Sequence, residues 1–172
     1  MVPWLRLRNV LLAYLAVAVG IAALTVVYAE DNSSARTVLH FRQGSLPQAR
    51  AAVPFTVALP ADAGPPQHVV FSPSSWLGRG GLVGMTFSYQ GVAVQVDEQP
   101  PLDSAGKPFV LPGRGLTWER LDEGGTEILM ASDLGAVEQV VWVQHGVQIG
   151  VTYATGIHPD RAEALAFQGS FH

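Results

Sequence analysis

The chain has 172 residues, enough for one ordinary domain beyond a short N-terminal extension, and its 10 Lys and Arg against 14 Asp and Glu give a formal charge of -4. The absence of cysteine excludes thiol catalysis, disulfide exchange, cysteine-bound metal clusters and lipid attachment through cysteine. The acidic balance argues against nucleic acid or an anionic lipid surface as an electrostatically recruited partner.

Residues 1–9 read as a cytoplasmic tail. Val10–Ala29 (VLLAYLAVAVGIAALTVVYA) then runs apolar for 20 residues. A helix of that length rises about 30 Å, the thickness of a bilayer's hydrocarbon core. No polar face survives along it, so a core helix of a soluble protein is a poor account. Val27 and Ala29 satisfy a small-x-small cleavage rule, which keeps a cut secretory signal as the alternative; the length favours a retained anchor. Arg6 and Arg8 before the run and Glu30 and Asp31 after it hold the N-terminus inside and place the rest outside. Trp4, Tyr14 and Tyr28 suit the two membrane interfaces. Setting Arg6 and Arg8 aside leaves 8 basic against 14 acidic residues on the outer side, a formal charge of -6.

Residues 30–44 read as a linker and 45–170 as an extracytoplasmic α+β domain. Ser45 caps a short helix with Gln48 at capping-box spacing and Pro47 in its first turn; the helix ends before Pro54. Phe55 to Leu59 alternates as an edge strand closed by Pro60, and a second short strand covers His68 to Phe71. In GLVGMTFSYQGVAVQVDE, a turn at Gln90-Gly91 sets Tyr89 opposite Val92, Phe87 opposite Val94 and Met85 opposite Val96, six apolar side chains on one face. DEQPPLDSAGKPFVLPGRG follows as an irregular loop. GLTWERLDEGGTEILM forms a second hairpin, turning at Asp122 to Gly125 with Leu121 opposite Thr126 and Arg120 opposite Glu127. VVWVQHGVQIGVTY forms a third, turning at His145-Gly146, with Val140, Trp142 and Gln144 sharing a face with Val147, Ile149 and Val151. A final helix has Pro159 at its first position, Asp160 near its positive end, Gly169 as its stop and Ala162, Leu165 and Ala166 as its apolar stripe. The predicted architecture is a transmembrane helix followed by one domain with a curved antiparallel sheet of hairpins and short helices packed on one face.

Few residues offer chemistry. His40, His68, His145, His158 and His172 are scattered, with no spacing that holds zinc on one helix face. No serine sits in a G-x-S-x-G elbow, and Ser132-Asp133 lacks a partner that sequence alone can place. The glycines of GRGGLVG run into a strand rather than a helix, so a flexible strand entry accounts for them better than a phosphate loop. Asp97, Glu98 and Asp103 lack calcium-loop order and read as a solvated acidic loop. No catalytic, metal or cofactor site is expected. Trp76, Phe87, Tyr89, Trp118, Trp142 and Tyr153 supply large apolar surfaces; core packing is favoured for them, and a groove between sheet and helix is the best ligand or partner surface.

Taken together, SLPQARAAVPFTVALPADAGPPQHVVF, GMTFSYQGVAVQVDE, GLTWERLDEGGTEILM, VVWVQHGVQIGVTY and PDRAEALAFQ resemble a bacterial extracytoplasmic domain of unknown function. That domain occurs at the outward-facing C-terminal end of membrane-anchored anti-sigma-factor-like proteins. The resemblance spans about Ser45 to Gln168 and supplies no catalytic residues. Only about nine residues precede the apolar run, too few for a sigma-binding domain, so any cytoplasmic output is expected from another chain. The expected function is an exterior binding or sensory domain, accessory to envelope-stress or sigma-factor regulation, not an enzyme. A carrier for a lipid or other apolar ligand is the alternative, and an unrecognised hydrolase a more distant one.

Overall fold

The computed structural model describes residues 41–75, 80–110, 116–153 and 158–172. The proposed anchor, residues 10–29, lies outside them, and so does Trp76. Among the described residues no helix is long and apolar enough to cross a membrane.

The described residues form one mostly β domain. Its strands are β1 (Arg42–Gln43), β2 (His68–Ser72), β3 (Leu82–Tyr89), β4 (Val92–Gln99), β5 (Thr117–Glu123), β6 (Thr126–Asp133), β7 (Ala136–Gln144) and β8 (Val147–Tyr153). They make a single antiparallel sheet in the order β1-β2-β3-β4-β8-β7-β6-β5. The helices are short: α1 (Leu46–Ala52) precedes β2 and α2 (Arg161–Gly169) follows β8. The sheet begins inside the stretch read as linker, where Arg42 and Gln43 pair with Phe71 and Val70.

Two hairpins have the expected register. Tyr89 pairs with Val92, Phe87 with Val94 and Met85 with Val96, and Gln144 pairs with Val147, Trp142 with Ile149 and Val140 with Val151. The β5–β6 hairpin differs by two residues: its turn is Gly124-Gly125, so Leu121 faces Ile128 and Arg120 faces Leu129. The reason lies in the backbone. Gly124 and Gly125 have φ of 60° and 86°, the left-handed pair that a two-residue turn requires to match strand twist. This register also carries Leu121 and Ile128 into the core together. A fourth hairpin, β6–β7, turns at Leu134-Gly135, where Leu134 stands fully exposed at φ 48°.

One face of the sheet carries Met85, Phe87, Val94, Val96, Ile128, Met130, Val140, Trp142, Ile149 and Val151, which join Ala49 of α1, Val53 at its C-cap, and Ala164 and Phe167 of α2 in a single hydrophobic cluster. The α2 stripe is Ala164 and Phe167, continued by Phe171, with the expected Leu165 partly buried against the same core, while Ala162 and Ala166 are exposed. The shift has a local cause. Asp160, not Pro159, begins the helix: its carboxylate accepts the Glu163 N–H at 2.9 Å and the Glu163 carboxylate accepts the Asp160 N–H at 3.2 Å. Ser45 caps α1 as expected, its N–H donating to Gln48 Oε1 at 2.8 Å.

Phe55 to Leu59 is not a strand. The segment is irregular, ending in an isolated bridge between Pro60 and Phe171. Two backbone bonds between Leu59 and His172 hold it in place. Nor is Gly81 in GRGGLVG a point of free movement: a Cβ there would collide with Val53, so its bareness lets α1 approach the sheet. On the opposite face, the stretch after β4 crosses the sheet. Phe109 N–H donates to Gln148 Oε1 of β8 at 3.0 Å, and Lys107 Nζ lies 3.9 Å from Glu127 Oε2 of β6.

Candidate functional site

The aromatic residues divide among three places. Phe87 and Trp142 are core, both 0% exposed; the Trp142 indole N–H donates to Gln144 Oε1 at 3.1 Å. Trp118 pairs with Ala131 on the opposite face of the sheet, half-buried. Tyr89 and Tyr153 alone of the set line a cleft. The open groove expected between sheet and helix is filled by the chain itself. The Phe167 ring lies 4.4 Å from Tyr89 and 5.4 Å from Phe171, and Phe171 lies 5.1 Å from Trp142. A face packed in this way has spent its apolar area on the core.

The cleft opens at the end of the sheet where the β3–β4 turn, the last residue of β8 and the entrance to α2 meet. It encloses about 70 Å³ and is lined by Tyr89, Val92, Val94, Tyr153, His158 and Glu163, with Gln90 and Pro159 at its rim. A β-bulge lies behind His158, one of the lining residues. Between β6 and β7, Ala131 pairs with Gln139 while Ser132 pairs with Val137, so Glu138 is an extra residue on β7. Bulges re-aim side chains and release backbone groups from the ladder. Here the Val137 N–H donates to the Pro159 carbonyl at 3.1 Å, docking the approach to α2. Glu138 Oε1 reaches His158 Nε2 at 3.4 Å.

Two polar atoms at this cleft are buried without a hydrogen-bond partner: the Tyr153 hydroxyl and His158 Nδ1. Buried polar atoms are nearly always paired, so unpaired ones call for an explanation, of which a bound water or ion is one. Burial, with the neighbouring Tyr89 hydroxyl and Glu163 carboxylate adding to it, pushes the Tyr153 phenol well above its usual range. It stays a hydrogen-bond donor through ordinary pH. A neutral phenol so held is a weak nucleophile.

A larger groove of about 410 Å³ lies between Pro54–Ala58 and the β7–β8 turn, with His145, placed in that turn as expected, on its wall. Gln144 Nε2 in its lining donates to the Phe171 carbonyl at 3.2 Å, and the His172 N–H donates to the Leu59 carbonyl at 3.3 Å. The tyrosine cleft is the better candidate because two of its lining residues, Tyr153 and His158, each carry a buried polar atom without a partner.

The acidic run is not a solvated loop throughout. β4 extends through Gln99, and alternation along it carries Glu98 to the core face, 0% exposed. Its Oε2 accepts the Ala58 N–H at 3.1 Å, and Oε1 has no partner. Burial raises its carboxyl to about 8, against the smaller opposing effects of the Ala58 N–H and Arg50. Asp97, on the other face, is also raised by burial and accepts from Gln95 Nε2 at 3.1 and 3.3 Å. Asp103 stays in the loop and binds the Ala105 N–H at 2.8 Å. The signal for Glu98 was present in the sequence, since Val92, Val94 and Val96 lead to it in steps of two.

Among the described residues no group of three or more His, Asp and Glu could hold a metal ion. No protein-family model matches the chain, and no curated protein or solved structure matches it.

Proposed function

We propose that the chain is a single-pass membrane protein, N-terminus inside and anchored by residues 10–29, whose outward-facing domain recognises a ligand through the Tyr89–Tyr153–His158 cleft rather than transforming one. The observation that carries this reading is the Tyr153 hydroxyl: it belongs to a residue only 3% exposed, yet none of the described residues hydrogen-bonds it. Leaving such a group unpaired costs about 1–3 kcal/mol, and a bound ligand recovers that cost. The same residue argues for recognition over hydrolysis, because a phenol kept protonated donates hydrogen bonds and does not attack. The resemblance to domains of anti-sigma-factor-like proteins adds a place for the output: an accessory role in envelope-stress or sigma-factor regulation, with another chain carrying the signal inward.

Thermal denaturation of the full chain in maltoside micelles, against a panel of small anions, polyols and amines, tests the recognition reading. A compound that raises the midpoint for the parent protein and not for Tyr153→Phe supports it. A panel in which no compound distinguishes the two counts against it. Alkaline phosphatase fused after His172 tests the topology, since it is active only on the outer side; an inactive fusion would overturn the proposed orientation.

A further inference from the structure

Resting on the recognition reading, we infer that the cleft takes an organic ammonium group. Size is the first constraint. About 70 Å³ holds a charged head and its first carbons but not a whole metabolite, so the cleft reads one end of its ligand.

Charge is the second. Glu163 lines the cleft and Glu138 stands behind His158, while no lysine or arginine is among the described lining residues. The nearest basic residue in sequence, Arg161, is committed to Glu119, its Nη1 3.2 Å from Oε1. Asp160, at the α2 N-cap, adds a further carboxylate. Although a helix begins here, the Asp160 and Glu163 side chains already occupy the Glu163 and Asp160 N–H groups, so an incoming anion meets two carboxylates at this helix end.

The third constraint is hydrogen-bonding sense. A neutral imidazole carries one proton, and the nitrogen facing a carboxylate is the one that keeps it. Nε2 lies 3.4 Å from Glu138 Oε1, and the tautomer that places its proton there leaves Nδ1 with a lone pair. The phenolic oxygens of Tyr89 and Tyr153 also accept, though Tyr89 Oη already receives Gln90 Nε2 at 3.3 Å. An N–H-bearing cation satisfies these acceptors; a carboxylate ligand would meet lone pair with lone pair at Nδ1.

The walls complete the case. Val92, Val94, Pro159 and the two tyrosine rings surround the acceptors. A hard divalent metal needs six or more oxygen ligands and gives up its water reluctantly, so these walls disfavour it. An alkylammonium presents carbon to the apolar walls and charge to the ring faces and carboxylates. Two sources carry this chemistry: a free amine, or the amine headgroup of a lipid in the membrane to which the domain is tethered under the proposed reading.

The test is an NMR titration of the full chain, labelled with 13C in tyrosine and histidine rings, in maltoside micelles. Ethylammonium chloride is the probe, with sodium chloride at matched ionic strength, sodium acetate and ethanol alongside. The expected result is saturable movement of the Tyr89, Tyr153 and His158 ring signals with ethylammonium alone. Glu163→Gln keeps the capping box, because glutamine serves at that position, and is expected to raise the half-saturation concentration by roughly tenfold. Unchanged spectra for the remaining tyrosine and histidine rings establish that this variant is folded. Equal movement with sodium chloride, or saturation that Glu163→Gln leaves unaltered, overturns the inference. Saturation by acetate or ethanol in place of ethylammonium overturns it while leaving the cleft a recognition site; if no probe saturates, the recognition reading fails with it. Nanodiscs then separate the sources: movement without added amine in phosphatidylethanolamine discs, absent in phosphatidylglycerol discs, assigns the lipid headgroup, and its absence in both assigns the free amine.

Discussion

Glu138, the residue by which β7 exceeds β6, is the one whose carboxylate lies 3.4 Å from His158 Nε2. An irregularity in pairing thus coincides with a carboxylate placed beside a side chain 20 positions further along the chain. Long-range 1H–15N correlation spectra of the neutral imidazole are expected to find His158 protonated on Nε2 and bare on Nδ1. Glu138→Ala is expected to produce a mixture of tautomers. A parent spectrum with the proton on Nδ1 would contradict the proposed direction of hydrogen bonding in the cleft.

Phe167 links α2 to both tyrosines, its ring centroid 4.4 Å from that of Tyr89 and 6.3 Å from that of Tyr153. It is 1% exposed. Phe167→Ala is expected to cost about 3–5 kcal/mol in urea denaturation, the range for emptying a buried aromatic position. A loss below about 1 kcal/mol would mean that α2 is not held by this ring.

Glu98 makes stability depend on pH in a definite direction. Its carboxyl is raised in the folded protein from 4.5 to about 8, so over that interval the native state binds the proton more firmly than the unfolded chain. Its protonated form stabilises the fold fully below pH 4.5, and the contribution is lost as pH rises towards about 8. Urea midpoints measured across this range are expected to fall for the parent and to fall much less for Glu98→Gln, which still offers an oxygen to the Ala58 N–H. Asp97, shifted the same way, leaves a residual slope. Parallel slopes for the two proteins would sink the assignment.

Leu134 occupies the first turn position of the β6–β7 hairpin at φ 48°, with its side chain entirely in solvent. Left-handed backbone costs a branched side chain about 1–2 kcal/mol, and asparagine tolerates it better. Leu134→Asn is expected to stabilise the domain by up to about 1 kcal/mol. Measured destabilisation would show that the leucine is held by contacts outside the described residues.

The hairpins were readable where hydrophobic alternation and the turn agreed. Tyr89 to Val96 and Val140 to Val151 each have apolar residues at every second position around an X-Gly pair, so a slip of one would expose a whole face. At β5–β6 the same alternation is diluted by Glu119, Arg120, Asp122 and Glu123, and two adjacent glycines admit more than one loop length. Phe55 to Leu59 alternates like a strand but sits among prolines, and its backbone bonds to His172, a partner that no local pattern reveals. Two residues of the cleft, Tyr89 and Tyr153, were singled out for their apolar surface; their pairing with His158 and Glu138 was not legible. That geometry depends on the bulge at Glu138, and an extra residue in one strand leaves no trace in the periodicity of the other.

The strand order has a consequence for assembly. β1 to β4 and β5 to β8 are each a run of neighbouring antiparallel strands, and the two runs meet along β4 and β8. Within each run from β3 to β4 and from β5 to β8, pairing closes loops of two residues. The seam joins Val94 to Tyr153, closing a loop of about sixty residues at a correspondingly greater entropic cost. On loop-closure entropy alone, contacts along the seam are expected to form after the hairpins. Val94 and Tyr153 are also walls of the cleft, so under the proposed reading a bound ligand rivets the two halves of the sheet together.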